Sequence, residues 1–270
     1  MQSESYTPVH DQTGRRRDLV TLAQRLEDAR VRQMPVEVSA TDQAIDQDTA
    51  YLVQRMGRTL RTDSGDRLTG YKIGLTSPTA QNQFSAQEPI RGYLLADPIT
   101  SREKVALTGL LEPKLEVEIA FLFNDTVEGA TVTPKEILAA TQEIALSLEI
   151  VDSRWAGGAR NLGMLIADNA NAARVVLGPR VAPTDVQLSS IEVELTAGTS
   201  SQTGRGTNVM GSPVEALVWL AAHLARHGER IEAGQVVMSG TLTAPIRVSP
   251  GQDITADFGP LGRLHTTFDA

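Results

Sequence analysis

Glu112-Pro113-Lys114-Leu115-Glu116-Val117-Glu118-Ile119-Ala120-Phe121-Leu122-Phe123 has the two-residue period of a β-strand. Leu115, Val117, Ile119 and Phe121 fall on one face. Glu116 and Glu118 fall on the other, roughly 6–7 Å apart along the strand. That second face continues as Ala120 and Leu122, so both faces turn apolar beyond Glu118. Two carboxylates therefore sit side by side on a face that continues into a core; the competing reading is a half-solvated strand whose polar residues point to water. Their mutual repulsion is relieved by protonation or by a cation. A hard divalent cation with oxygen ligands is the natural partner. A third acidic ligand is offered by Ser147-Leu148-Glu149-Ile150-Val151-Asp152-Ser153-Arg154, where Glu149 stands in another apolar run. The competing reading of Glu149 is an exposed residue ending a helix that begins at Pro134.

Outward from this strand, short β-like runs alternate with Gly and Pro turns. They are Tyr71–Leu75, Val175–Leu177, Ile191–Leu195, Val236–Ser239 and Ile254–Phe258. Two helices interrupt them. Thr133-Pro134-Lys135-Glu136 and Ser212-Pro213-Val214-Glu215 each read as N-cap, proline at the first helical position and capping-box glutamate. Leu217, Leu220, Ala221 and Leu224 share a face of the second, and Gly228 is its stop. Upstream, spacings of three and four predict helices from about Arg17 to Val31 and from about Asp42 to Arg61. The sequence thus divides into a tail over 1–14, a helical unit over 15–68 and a larger unit over 69–270. The fold class is α+β, with a mixed β core and few helices. No internal repeat is present.

The chain has 270 residues, 41% hydrophobic and 21% charged, which is ordinary globular composition. Lys+Arg is 25 and Asp+Glu is 33, a net charge of 25 − 33 = −8. Nucleic acid and anionic membrane surfaces are poor partners for such a chain. With no cysteine, thiolate nucleophiles, disulfides, zinc–thiolate sites and iron–sulfur clusters are excluded. No signal peptide or membrane span is apparent, so a soluble cytoplasmic protein is expected.

Several blocks, in order, resemble the 2-keto-4-pentenoate hydratase / 2-oxohex-3-enedioate (4-oxalocrotonate) decarboxylase family of the fumarylacetoacetate hydrolase superfamily. They are Gly70-Tyr71-Lys72-Ile73-Gly74-Leu75-Thr76-Ser77, Glu88-Pro89-Ile90-Arg91-Gly92, the Pro113–Ala120 strand and Glu149–Arg154. Ala167-Asp168-Asn169-Ala170, Val209-Met210-Gly211-Ser212-Pro213 and Ala233–Gly240 follow. The resemblance runs from about Leu19 to Phe268. It implies a mixed β-roll preceded by a small helical unit. It also implies a lyase of unsaturated 2-oxo acids dependent on Mg²⁺ or Mn²⁺. The metal ligands it implies are Glu116, Glu118 and Glu149, with Lys72 and Glu116 catalytic. Ser77, Arg91, Arg154, Asp168, Asn169, Ser239, Thr241 and Thr243 are its candidate substrate-binding residues. The competing reading of Arg91 and Arg154 is a surface ion-pair partner, and that of Lys72 a surface strand lysine. Homo-oligomers are typical, and a paralogous hydratase is a candidate partner.

A 2-oxo acid chelates such a cation through a carboxylate oxygen and the 2-oxo oxygen, and the cation stabilises a dienolate. A hydratase then adds water to give a 4-hydroxy-2-oxo acid, whereas a decarboxylase releases a distal carboxylate as carbon dioxide. The hydratases of the family carry Pro-Asp where this chain has Pro89-Ile90, and that Asp suits proton transfer for water addition. Ile90 cannot do this, which favours decarboxylation. Asp152-Ser153-Arg154 and Thr243 point the same way, and Gly204-Arg205-Gly206 and Trp219-Leu220-Ala221 point to the hydratases. A non-catalytic binding or assembly subunit on the same fold is the rival from another class. Gly204-Arg205-Gly206 lacks the spacing of a dinucleotide fingerprint, and His223 with His227 lacks the intervening Glu of a zinc protease. His10 is the only histidine before Glu116, so carbon–carbon hydrolysis ranks third.

Overall fold

The computed structural model describes residues 9–96, 99–100, 104–183 and 186–270, with side chains from Arg16 onward. The first eight positions of the expected tail lie outside the described residues. Helix α1 spans Val9–Arg32, starting eight residues before the position expected from its apolar spacing. The short α2, Ala40–Gln43, is closed by a capping box between Ser39 and Asp42. Helix α3, Gln47–Asp63, starts on the Asp46 carboxylate, which accepts from Thr49 N.

The strands build two mixed sheets. The larger one contains β1 (Leu68–Gly74), β2 (Ile90–Leu95), β3 (Ile99–Thr100), β5 (Lys114–Phe123), β6 (Thr141–Val151), β7 (Ala172–Val181) and β10 (Val236–Thr241). Their order is β2-β1-β10-β5-β6-β7-β3, and β11 (Ile246–Arg247) pairs with the start of β5. The second sheet runs β4-β13-β12-β8-β9. Its strands are β4 (Lys104–Ala106), β8 (Glu192–Ala197), β9 (Ser200–Arg205), β12 (Asp253–Asp257) and β13 (Arg263–Asp269). Parallel pairs, β1 with β10 and β4 with β13, sit among antiparallel ones. The α+β architecture with mixed sheets behind leading helices is the one expected.

Among the described residues four α-helices follow β1, where the sequence predicted two. Helix α4 (Pro78–Phe84) and α6 (Leu162–Ala167) are the additions to α5 (Pro134–Ala140) and α7 (Pro213–Arg226). Both are shorter than two full turns, at seven and six residues, too short to show a helical period. Thr133 and Glu136 form the expected capping box of α5. At α7 the proline sits in the first turn as expected, but Ser212 makes no side-chain cap. Helix α5 stops at Ala140 and the chain enters β6 at once, so Glu149 lies in a strand and not on a helix end.

The faces of the larger sheet bury different things. On one, Val117, Ile119 and Phe121 meet Val193 and Leu195 of β8, Ile254 of β12, Phe268 of β13, and Leu217, Leu220 and Leu224 of α7. Each such side chain contributes about 1.5–3 kcal/mol by leaving water. The other face carries Glu116, Glu118 and Ala120, with a small apolar patch of Leu94, Ala120, Ala145, Val175, Leu177 and Met238. At its β1–β2 end, Leu22 and Leu26 of α1, Tyr51 and Val53 of α3, and Met164 and Ile166 of α6 share one cluster with Ile90 and Trp155. The N-terminal helices therefore cap the end of the sheet beside the carboxylates. No helix of the described residues is long and apolar enough to cross a membrane.

Candidate metal centre

Strand register brings the acidic residues together. Glu116 on β5 lies directly opposite Glu149 on β6, and Glu118 lies opposite Ser147. Facing residues of an antiparallel pair share a side of the sheet, with Cβ atoms about 4.5–5.5 Å apart. All three carboxylates therefore rise from one face, and an oxygen from each lies within 4.8 Å of the others. Glu118 and Glu149 are fully buried, whereas Glu116 is half-buried and forms the open side.

The same logic supplies the cation. Lys72 on β1 is opposite Met238 of β10, and Met238 is opposite Ala120, so Lys72 shares the carboxylate face. Its Nζ lies 3.2 Å from Glu149 Oε2 and donates to the Ala170 carbonyl at 3.1 Å. Gly92 faces Lys72 from β2, and a Cβ there would stand 2.6 Å from the Asn169 carbonyl and 3.1 Å from Lys72 Cγ. Only glycine leaves the lysine stem that passage.

Burial pushes Glu118 well above the usual carboxylate range, with Glu149 and Glu116 adding repulsion. Burial likewise raises Glu149 to about 7, against the pull of Lys72, and raises Glu116. Burial opposes the charge on Lys72, but the attraction of Glu149, Glu116 and Glu118 prevails and raises its pKa. Three carboxylates and one ammonium leave a deficit of 3 − 1 = 2 charges, the charge of a divalent cation. Glu118 Oε1 and Glu149 Oε1 accept no hydrogen bond although both are buried. Glu118 Oε2 is held at 2.8 Å by Gly240 N, which leaves the other oxygen for a ligand. The all-oxygen donor set, the charge deficit and the orphaned oxygens fit Mg²⁺ or Mn²⁺.

Of the candidate substrate contacts, Ser239 is fully buried at a register shift of β10, and its hydroxyl has no partner. The buried Thr243 hydroxyl is likewise unpartnered. Thr241 is opposite Glu118 and donates to the Thr243 carbonyl at 2.9 Å. Ser77 is the N-cap of α4. Asn169 is tied to the Tyr93 backbone by both side-chain atoms. Arg154 and Asp168 are ion-paired to each other at 2.5 Å.

Arg91 is set apart. It pairs with Ile73 on the opposite face from Lys72, and its guanidinium meets Glu229 at 2.9 Å, Gln54 at 3.1 Å and the rings of Tyr51 and Tyr93. Its alternation with Ile90 and Gly92 already placed it there. Ile90, by contrast, is buried on the Lys72 side, opposite Gly74. A Cβ on Gly74 would be 3.3 Å from Ile90 Cγ1 and 3.7 Å from Lys72 Nζ. Sequence reasoning did not single out Gly240, Ser147 or Ala170. Gly240 had a signal, a glycine inside a strand run, which marks bulges. A cavity of about 60 Å³ lies near α1, α3 and α6, and none of the three glutamates lines it.

No protein-family model matches the chain. A 2-keto-4-pentenoate hydratase of Paraburkholderia xenovorans (strain LB400) is 34% identical over 226 residues, covering 83% of this chain and 84% of the relative. A 4-oxalocrotonate decarboxylase of a Pseudomonas species is 33% identical over 245 residues, covering 90% of this chain and 95% of the relative. Among solved structures, the 4-oxalocrotonate decarboxylase of Pseudomonas putida G7 complexed with magnesium and adipate superposes with TM-score 0.89. It is 27% identical and covers 98% of this chain and 100% of that one. A fumarylpyruvate hydrolase of Pseudomonas aeruginosa, at 16% identity and TM-score 0.56 over 74% of this chain and 88% of that one, shares the fold.

Proposed function

The chain belongs to the 2-keto-4-pentenoate hydratase / 4-oxalocrotonate decarboxylase family, and from that premise we propose a divalent-metal-dependent decarboxylase of a 2-oxohex-3-enedioate-type acid. The observation that carries the choice of reaction is Ile90. It stands beside Lys72 on the carboxylate face, at the position where the resemblance implies an aspartate in the hydratases. Water addition needs a proton carrier at the distal carbon. An apolar wall serves loss of a carboxylate instead.

Glu116, Glu118 and Glu149 would hold Mg²⁺ or Mn²⁺. When bound, the cation supplies a Lewis acid for the negative charge that develops on the 2-oxo oxygen. Glu116, half-buried, borders the side by which the substrate enters. As the distal C–C bond breaks, its electron pair passes through the conjugated chain to the 2-oxo oxygen. Lys72, buried and charged, gives a proton to that oxygen, leaving carbon dioxide and a 2-hydroxydienoate. The unpartnered hydroxyls of Ser239 and Thr243 are available for the substrate carboxylate. We assign substrate contact to neither Arg91 nor the Arg154–Asp168 pair, whose charges are already matched. In this reading 69–270 is the catalytic unit and 15–68 its cap, in a cytoplasmic homo-oligomer acting on a small 2-oxo acid.

Hydration of 2-hydroxypenta-2,4-dienoate is the second reading, favoured by the 34% identity to hydratases. The test is Ile90→Asp. Wild-type protein with Mg²⁺ is expected to release carbon dioxide from 2-oxohex-3-enedioate without hydrating the dienoate, and the variant to gain hydration. Wild-type hydration without carbon dioxide release refutes the proposal.

A further inference from the structure

Between α6 and β7 the chain makes an unusual turn. Asn169, Ala170 and Asn171 all take left-handed backbone angles, with φ of 52°, 50° and 59°. Asparagine tolerates that region, but alanine rarely enters it. Three such residues in a row persist only where their surroundings hold them. The product of the turn is the Ala170 carbonyl, which accepts from Lys72 Nζ.

Two devices grip the turn. On the β2 side, Asn169 Oδ1 accepts from Tyr93 N at 2.7 Å and its Nδ2 donates to Tyr93 O at 2.9 Å. On the β6 side stands Arg154, 6% exposed. Its Nε meets Asp168 Oδ1 at 2.5 Å, and its backbone N meets Asp168 Oδ2 at 2.8 Å. Its Nη1 donates to the carbonyls of Asp152 at 2.6 Å and Ala172 at 3.2 Å, and its Nη2 donates to the Asp168 carbonyl. Ser153 Oγ adds a further bond to Asp168 Oδ2 at 3.1 Å. The planar fork thus ties both ends of the turn to the end of β6, a task a lysine cannot perform. Asp152 N closes the ring on the Asn171 carbonyl at 2.8 Å.

We propose that Arg154 and Asp168 are positioning residues: the pair clamps the left-handed turn so that Ala170 holds the Lys72 ammonium against Glu149. This rests on the functional reading above for why Lys72 must be held, but the clamp itself is a matter of geometry. Without it the turn relaxes, the carbonyl swings away and Lys72 leaves its buried place. Glu116, Glu118 and Glu149 sit on β5 and β6 and keep their positions.

The chain has four lysines, of which Lys72 is buried while Lys104, Lys114 and Lys135 are exposed. Amine labelling by reductive methylation, read residue by residue by mass spectrometry with Mg²⁺ present, therefore isolates one group. Asp168→Asn is expected to speed labelling of Lys72 at least tenfold with the other three lysines unchanged. Arg154→Lys, which keeps the charge but loses the fork, is expected to give a smaller increase and decides the matter should Asp168→Asn fail to fold. Turnover supplies a second readout. Asp168→Asn should lower kcat at least tenfold in the wild-type background and less than twofold in the Lys72→Ala background. Wild-type labelling of Lys72 in both variants, equal acceleration at all four native lysines (the one introduced at 154 being read separately), or the same loss of kcat in both backgrounds would each overturn the proposal. A wild-type protein that binds no Mn²⁺ in a titration would refute the proposed function instead, and the labelling would still decide the role of the pair.

Discussion

Gly240→Ala should weaken cation binding without touching a ligand. Gly240 N donates to Glu118 Oε2 at 2.8 Å from a backbone with φ +110°. A Cβ there would meet Thr76 Oγ1 at 2.4 Å, Thr76 Cγ2 at 2.6 Å and Thr76 Cβ at 3.0 Å. Rotation of the threonine clears only one of the first two contacts, because Oγ1 and Cγ2 fill two of the three staggered positions, and it leaves the third. The β10 backbone, already at a φ that alanine rarely adopts, must therefore shift, which weakens the bond to Glu118. A hydrogen bond to a charged group contributes about 1.5–3 kcal/mol. At 1.4 kcal/mol per tenfold, the Mn²⁺ Kd should rise about 10- to 100-fold. The released carboxylate also turns freely, so the loss should be mainly one of pre-organisation. Isothermal titration with Mn²⁺ measures the Kd, and a thermal melt run alongside reports whether the variant is folded. A folded variant with a Kd within twofold of wild type would refute the reasoning, because the Glu118 carboxylate would then need no fixed donor.

Cation binding should also depend on pH. Burial raises Glu149 to about 7 and pushes Glu118 well above the usual carboxylate range, so protons compete with a cation for the metal-free site. Mn²⁺ affinity should therefore climb from pH 6 to 8, and titrations in buffers of different ionisation enthalpy should show proton release; a flat profile argues against the buried triad. The metal-free protein should lose stability over the same range. Its carboxyls bind more protons folded than unfolded, so the stabilisation present below the unfolded pKa fades as pH rises through the folded one. Thermal melts with and without Mg²⁺ at pH 6 and 8 should thus diverge most at pH 8, and the reverse order would contradict the sign. Phe121→Ala, at a fully buried position between the sheets, should cost about 3–5 kcal/mol in urea unfolding; a loss under 1 kcal/mol would mean that the core is not packed as described.

The carboxylate strand was legible because period two and the continuation of apolar residues on both faces are local properties of residues 115–123. The capping box at Thr133 was legible for the same reason, as its donors and acceptors lie within one helical turn. Glu149 was only half legible. The apolar run was visible, but its pairing with Glu116 is a tertiary register, and the seven-residue α5 gave no hint of where helix ends and strand begins. Arg91 was open to two readings, and the structure pairs it with Glu229. The motif that contains it suggested a substrate contact, while simple alternation along Ile90-Arg91-Gly92 sends its side chain away from Lys72. The Ala170 carbonyl was beyond reach, since no propensity predicts an alanine in a left-handed turn and its partner lies 98 residues away in sequence.

The most direct test of a carboxylate-held cation driving decarboxylation is a single paired assay. Carbon dioxide release and ultraviolet change are followed together on 2-oxohex-3-enedioate with Mg²⁺, with Mg²⁺ plus chelator, and with Glu116→Ala in place of wild type. Release in the first, and its loss in the other two together with loss of Mn²⁺ binding by the variant, is the predicted result. Turnover that survives the chelator or the substitution would contradict the metal centre and the chemistry built on it.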